Sequence, residues 1–272
     1  MATSGEGKEF EYRILRLTDI ANEPLKLLAP IHGYENMPLV SLEEAVAPLI
    51  SLVPDIQNYA SLAKQRCSEP ADGLTQDESA AIMLYSMGWE PLDQCLYVAL
   101  NAALRSPDRQ HLKPWFLFLK LFLTAFVRLP PNPHHIVYRG VKLDLHRHYN
   151  KGQKVVWWGF SSCTTSIKFL EAEQIFGKTG SRTIFCIECN SGKDIRAHSY
   201  YSTEDEILLL PATQFEVVAC FDHALELHII HLKETRPPFS LLKPIPSAIS
   251  QKEAAVCKQS INEICTHFKL FY

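Results

Sequence analysis

The spacing of apolar residues changes near residue 132, and this change limits the folds open to the chain. Before it, apolar residues recur at helical spacing; after it, they alternate or run in short blocks rich in β-branched and aromatic residues. The segment PPNPHH, 130–135, stops the helical part. Helices first and strands second predict an α+β architecture, as either two domains or two lobes of one. In the helical half, Ser41 and Glu44 have capping-box spacing ahead of a stretch to Cys67, where Pro48 and Pro54 mark kinks or boundaries. Thr75 and Glu78 repeat that spacing, and helical patterns follow in PLDQCLYVALNAALRS and KPWFLFLKLFLTAFVRL. The second half offers the strands IVYRGV, KVVWWGF, RTIFCIEC, DIRAHS, DEILLL, FEVVACF and LELHIIHL, with one helical pattern at 166–177.

Composition narrows the function. With 272 residues and 47% hydrophobic content, the chain can bury a sizeable core. A net charge of −3 without a long basic run argues against nucleic acid as a partner. The start, MATSGEGKEF, does not read as a secretory signal. The longest apolar stretch, Trp115 to Leu129, is too short to span a bilayer and is interrupted by Lys120 and Arg128, so no membrane span is expected. The 8 cysteines are dispersed rather than spaced as a disulfide scaffold, which suits a reducing, cytoplasmic compartment. Cys186 and Cys189 form a C-x-x-C without a second pair, and His146 and His148 lack a partner at a known ligand spacing; no metal is expected.

Three short motifs carry chemistry. In SYYSTEDEILLL, Glu204 and Glu206 are two apart before an apolar run, so an extended strand would turn both carboxylates to one face. Paired carboxylates suit a cationic ligand or transition state. In VYRG, 137–140, an arginine ends a strand beside a glycine, an arrangement suited to phosphate groups. In GFSSCTTS, 159–166, small hydroxyl residues follow an aromatic, which also suits capping or turn chemistry. No G-x-S-x-G elbow and no G-x-G-x-x-G loop occurs.

In this order the motifs resemble the R-S-E signature of the clostridial-toxin-like ADP-ribosyltransferases, and among them the arginine-specific mono-ADP-ribosyltransferases. The R is Arg139, the serine of Phe160-Ser161-Ser162-Cys163-Thr164 is Ser162, and the E-x-E is Glu204-Asp205-Glu206, preceded by Tyr200 and Tyr201. Thr164 stands where the family often has serine. The resemblance covers roughly 74–218 and implies one domain over 1–235. A helical lobe, 1–131, would pack on a split β-sheet core, 132–235, and a proline-rich tail, 236–272, keeps no assigned role. The implied reaction moves ADP-ribose from NAD⁺ to an arginine of a protein substrate and releases nicotinamide. NAD⁺ glycohydrolysis and a non-enzymatic interaction module on the same fold remain alternatives.

The resemblance also implies roles. Glu206 would stabilise the oxocarbenium-like ribose and Glu204 would orient or deprotonate the incoming guanidinium. Arg139 would grip the phosphates, Ser162 would hold Glu206 or the ribose, and Tyr138 and Gly140 would line the NAD⁺ site. Phe176 would stack on nicotinamide, Tyr201 would meet the acceptor, and GKTGS, 177–181, would lie near the phosphates.

Overall fold

In the computed structural model the described residues are 16, 19–170, 176, 179–202, 205–223 and 226–245. Helix α1 (Leu42–Val46) starts at a capping box: Ser41 Oγ accepts from Glu44 N, and Glu44 accepts from Ser41 N. Pro48 lies in the 3₁₀ turn Ala47–Leu49 and Pro54 precedes α2 (Ile56–Arg66), so the proline positions divide the predicted helix. Helix α3 (Gln76–Ser86) has the second capping box, from Thr75 and Glu78, and the buried Glu78 carboxylate also receives Arg128 Nη1. Helices α4 (Leu96–Arg105) and α5 (Phe116–Arg128) complete the lobe. Phe118, Leu119, Leu121, Phe122, Leu123, Ala125 and Phe126 of α5 are buried, the mark of a central core helix. Among the described residues no helix is long and apolar enough to cross a membrane.

The strands are β1 (Ile136–Val141), β2 (Lys154–Trp157), β3 (Ser161–Thr164), β4 (Arg182–Glu188), β5 (Lys193–Asp194), β6 (Glu206–Leu209), β7 (Thr213–His223) and β8 (Leu227–Thr235). Their order is β2-β7-β8-β4-β1-β3-β6-β5. All pairs are antiparallel except β4 with β8. β1 meets β3 through a single register pair, Tyr138 with Thr164, so the sheet is nearly split there. Both halves feed one core: Val137, Phe185, Val217 and Leu232 from one side, Cys163, Ile207 and Leu209 from the other. A second cluster joins the helices to Phe160 and Leu208. The chain is thus an α+β molecule with a helical lobe against a nearly divided sheet.

Two local readings differ from the sequence expectation. GFSSCTTS is more than a turn, because Ser161–Thr164 is strand β3 and buried along its length. DIRAHS is strand only at Asp194; Asp194 Oδ1 accepts from Arg196 N, and the chain turns into the 3₁₀ helix Arg196–His198. Of the helix read at 166–177, α6 (Ile167–Leu170) is described and 171–175 lie outside the described residues, as do most of the tail, 246–272, and its helical pattern.

Candidate active site

Register positions the central pair. Thr164 lies opposite Glu206 and Ser162 opposite Leu208, so Ser162 and Glu206 are diagonal neighbours on one face. Cys163, Ile207 and Leu209 point the other way, into the β core, while Leu208 joins the helical cluster. Glu206 therefore opens β6 on the face that meets the helices. Ser162 Oγ donates to Glu206 Oε1 at 2.6 Å, and Glu206 is only 4% exposed. Glu206 Oε2 has no hydrogen bond; its cation is Arg16, with Nη2 at 3.5 Å. Burial pushes the Cys163 thiol far up, Arg139 opposing, so this cysteine stays protonated and inert as a nucleophile.

Arg139 is fully buried on β1. Its Nη1 donates to Ser162 O at 3.2 Å, and its Nη2 donates to Arg16 O at 3.0 Å and to Asp19 Oδ1. Nε has no partner. In this conformation Asp19 takes the charge that the sequence reading assigned to phosphates. Asp19 Oδ2 in turn accepts from Asn101 Nδ2 at 3.0 Å and from Arg105 Nη2 at 2.9 Å, both on α4. Arg105 Nε donates to Glu23 Oε1 at 2.6 Å, and Glu23 accepts the backbone N–H groups of Trp158 and Gly159 at the β2–β3 turn. Burial pushes the Glu23 carboxyl up, with Arg105 opposing. For Arg105 burial works against the charge, but the two carboxylates outweigh it and raise its pKa.

The remaining predicted residues divide. Gly140 meets Phe176: a Cβ at Gly140 would lie 2.9 Å from Phe176 Cδ2 and 3.5 Å from Leu170 Cδ1. Arg182 lies over the Phe176 ring at 5.3 Å. By strand alternation Tyr138 and Gly140 face away from Arg139, and the register Tyr138–Thr164–Glu206 puts them on the sheet face that carries Glu206. Tyr201 is buried, edge-on to Tyr200 at 5.1 Å, with Arg16 over its ring at 5.1 Å. Glu204 lies outside the described residues, as do Gly177 and Lys178 of GKTGS. Asp205, between the two glutamates, is exposed and pairs with Arg196.

Sequence reasoning missed Arg16, Asp19, Glu23, Asn101 and Arg105. One signal was available: Asn101 and Arg105 are polar, four apart, on the apolar face of α4 with Leu100 and Leu104. It also missed His198, which is buried, with Nδ1 at 2.8 Å from Ser79 Oγ and Nε2 at 3.1 Å from Asp72 Oδ2. This row ties α3 to the 3₁₀ turn after β5. His146 does have a carboxylate partner. Asp144, His146 and His228 form a group able to hold a metal ion, with His146 Nδ1 2.5 Å from Asp144 Oδ1.

A family model described as NAD:arginine ADP-ribosyltransferase matches residues 52–236. The human GPI-linked NAD(P)(+)--arginine ADP-ribosyltransferase 1 is 31% identical over 166 residues, which are 58% of this chain and 48% of that protein. The chain thus spans about half the length of this curated relative. Among solved structures, the eucaryotic mono-ADP-ribosyltransferase ART2.2 aligns with TM-score 0.51 and 20% identity over 79% of this chain and 98% of that one. The type III effector XopAI of Xanthomonas axonopodis pv. citri aligns with TM-score 0.52 and 14% identity, over 86% and 100%. At these identities the two structures speak to fold.

Proposed function

The chain belongs to the NAD:arginine ADP-ribosyltransferase family, and from that premise we propose that it transfers one ADP-ribose from NAD⁺ to an arginine side chain of a protein, releasing nicotinamide. The observation that carries this reading is the buried Ser162–Glu206 pair: one carboxylate oxygen is held by a 2.6 Å hydrogen bond and the other makes none. In the reaction, the bond between ribose C1′ and the nicotinamide nitrogen breaks. Its electron pair neutralises the pyridinium, and positive charge develops on the ribose. A fixed carboxylate in a site closed to water stabilises that charge as it forms. Glu206 takes this role and Ser162 fixes its orientation.

A guanidinium nitrogen then bonds to C1′ and loses a proton. Because a free guanidinium has a pKa above about 12, it needs a nearby base; Glu204, two positions before Glu206, is proposed for this. Arg139, Tyr138, Gly140 and Phe176 are proposed to bind NAD⁺, and Tyr201 the acceptor. No metal ion has a part in these steps. For the compartment, the described cysteines are free thiols, which supports a reducing one, whereas the human relative is GPI-linked.

The test is nicotinamide release from NAD⁺ with and without agmatine, a small guanidine. Wild-type release should rise with agmatine, and Glu206→Gln should lower it on the order of 10²-fold or more while NAD⁺ still binds. Release indifferent to agmatine would make the protein an NAD⁺ glycohydrolase. A Glu206→Gln variant as active as wild type would remove Glu206 from the chemistry.

A further inference from the structure

We propose that Asp144, His146 and His228 form a binding site for one zinc ion; none of the three is assigned to the transfer chemistry. The sheet gathers residues that the sequence scatters. β1 ends at Val141, and the loop after it is fastened to β4: Thr183 Oγ1 donates to Leu143 O at 2.7 Å and accepts from Leu145 N at 3.0 Å. Thr183 is fully buried, so this anchor is fixed. Leu145 packs against the β core, while Asp144 and His146 on either side of it stay partly open to solvent. His146 begins the 3₁₀ turn His146–His148, which lies against β8. On β8, His228 pairs in register with Thr183 on one side and with Asp222 of β7 on the other.

One carboxylate oxygen serves both rings. Asp144 Oδ1 is 2.5 Å from His146 Nδ1 and 3.6 Å from His228 Nε2. One ligand atom from each of the three residues lies within 4.8 Å of the other two. The two imidazoles stack, with centroids 4.4 Å apart and planes 21° apart. Zinc holds tetrahedral nitrogen and oxygen ligands at about 2.0–2.2 Å, which sets them about 3.3 Å from one another. That spacing falls between the two contacts of Asp144 Oδ1. Small turns of the imidazoles about χ2, a broad torsion, lengthen the first contact and shorten the second. The zinc ion then takes the place of the proton between Asp144 and His146.

The donor set selects the ion. Two imidazole nitrogens with one carboxylate oxygen suit zinc, whereas magnesium and calcium take oxygen ligands. The support behind the ligands is present as well. His228 Nδ1 is 2.7 Å from Asp222 Oδ1, so Asp222 accepts the Nδ1 proton and leaves Nε2 as the ligating nitrogen. A metal-bound histidine is commonly oriented by a carboxylate in this way. Three protein ligands leave a fourth position for water or a further ligand. Bound zinc links the β1–β2 connection to the β7–β8 hairpin, and so ties the end of β1, the strand of Arg139, to the outer part of the sheet.

The experiment adds zinc chloride to chelator-treated protein and reads binding by calorimetry and the midpoint of thermal unfolding, for wild type, Asp144→Asn, His228→Ala and Asp222→Asn. Wild type should bind zinc, and its midpoint should rise with zinc concentration. Asp144→Asn and His228→Ala should each abolish that binding and the rise with it. Asp222→Asn removes only the carboxylate behind His228 and should weaken zinc about 10- to 100-fold. Asp222 is the most exposed of the four side chains, so this variant serves if the others fold poorly. Magnesium chloride should leave the midpoint where it is. A zinc ion held elsewhere in the chain would bind all four proteins alike, and equal binding overturns the proposal. So does a wild type that binds no zinc, or one that magnesium stabilises as well as zinc does. These readouts do not involve NAD⁺, so the transferase reading stands or falls separately.

Discussion

Glu206 depends on Ser162 more than on any other described side chain. The hydroxyl donates at 2.6 Å to Oε1, and without it a 4%-exposed carboxylate would have no hydrogen bond from a described side chain. A hydrogen bond to a charged group contributes about 1.5–3 kcal/mol, so Ser162→Ala should lower kcat for nicotinamide release by about 10- to 100-fold. Ser162→Thr, which keeps the donor, should retain more activity than Ser162→Ala. Equal losses in the two variants would mean that the strand, and not the hydroxyl, sets the position of Glu206. E-x-E before an apolar strand and a hydroxyl cluster after a strand are local patterns, legible in sequence, and the family resemblance they carry is what implies that Ser162 holds Glu206 or the ribose. The partners of Arg139 were not legible in the same way. Asp19 and Arg16 lie more than a hundred positions away, and no local rule connects them to VYRG.

Among the secondary elements, the caps and strands that follow local rules were readable. Ser41 with Glu44 and Thr75 with Glu78 form the two predicted capping boxes, and IVYRGV is β1. What escaped was set by tertiary contact: β3 is a strand because β1 and β6 flank it, and DIRAHS turns early because Asp194 captures the Arg196 N–H. The Gly140–Phe176 contact belongs to this class. Gly140 is needed for space, not for backbone conformation, since the glycines with positive φ are Gly33, Gly73, Gly152 and Gly180. A methyl group at Gly140 would meet the Phe176 ring at 2.9 Å and push it away from β1. Gly140→Ala should therefore destabilise by about 1–3 kcal/mol through overpacking, read from urea midpoints. Combining it with Phe176→Leu should recover part of that loss, a coupling that a double-mutant cycle measures. Strictly additive losses would show that the ring moves aside without strain. If Phe176 also stacks on nicotinamide, Gly140→Ala should raise KM for NAD⁺ more than it lowers kcat.

At the scale of the whole molecule, one buried charge network ties the parts together. Arg105 comes from the helical lobe, Arg139 from β1, and Asp19 and Glu23 from the stretch ahead of α1, while Glu23 also holds the β2–β3 turn. Such a network adds less to stability than its contacts suggest, because each ion loses its water, yet removing one partner leaves a buried charge exposed to that cost. Arg105→Met keeps the aliphatic stem and removes the cation from Asp19 and Glu23. The expected loss is about 3–5 kcal/mol, a large share of the about 5–15 kcal/mol that holds an ordinary domain. The pH dependence of that loss identifies its cause. Burial already raises the Glu23 carboxyl, and Arg105 is the main force pulling it back. Without Arg105 the folded-state value rises further above the unfolded one. Between those two values the native state binds more protons than the unfolded state, so stability increases as pH falls. The stability difference between Arg105→Met and wild type should therefore shrink as pH falls from neutrality toward the ordinary carboxylate range, because a protonated Glu23 no longer needs a cation. Taking the difference cancels carboxylates that titrate alike in both proteins. A difference that stays constant over this range would mean that Arg105 acts through the packing of its stem, and that Glu23 is not the group left unpaired.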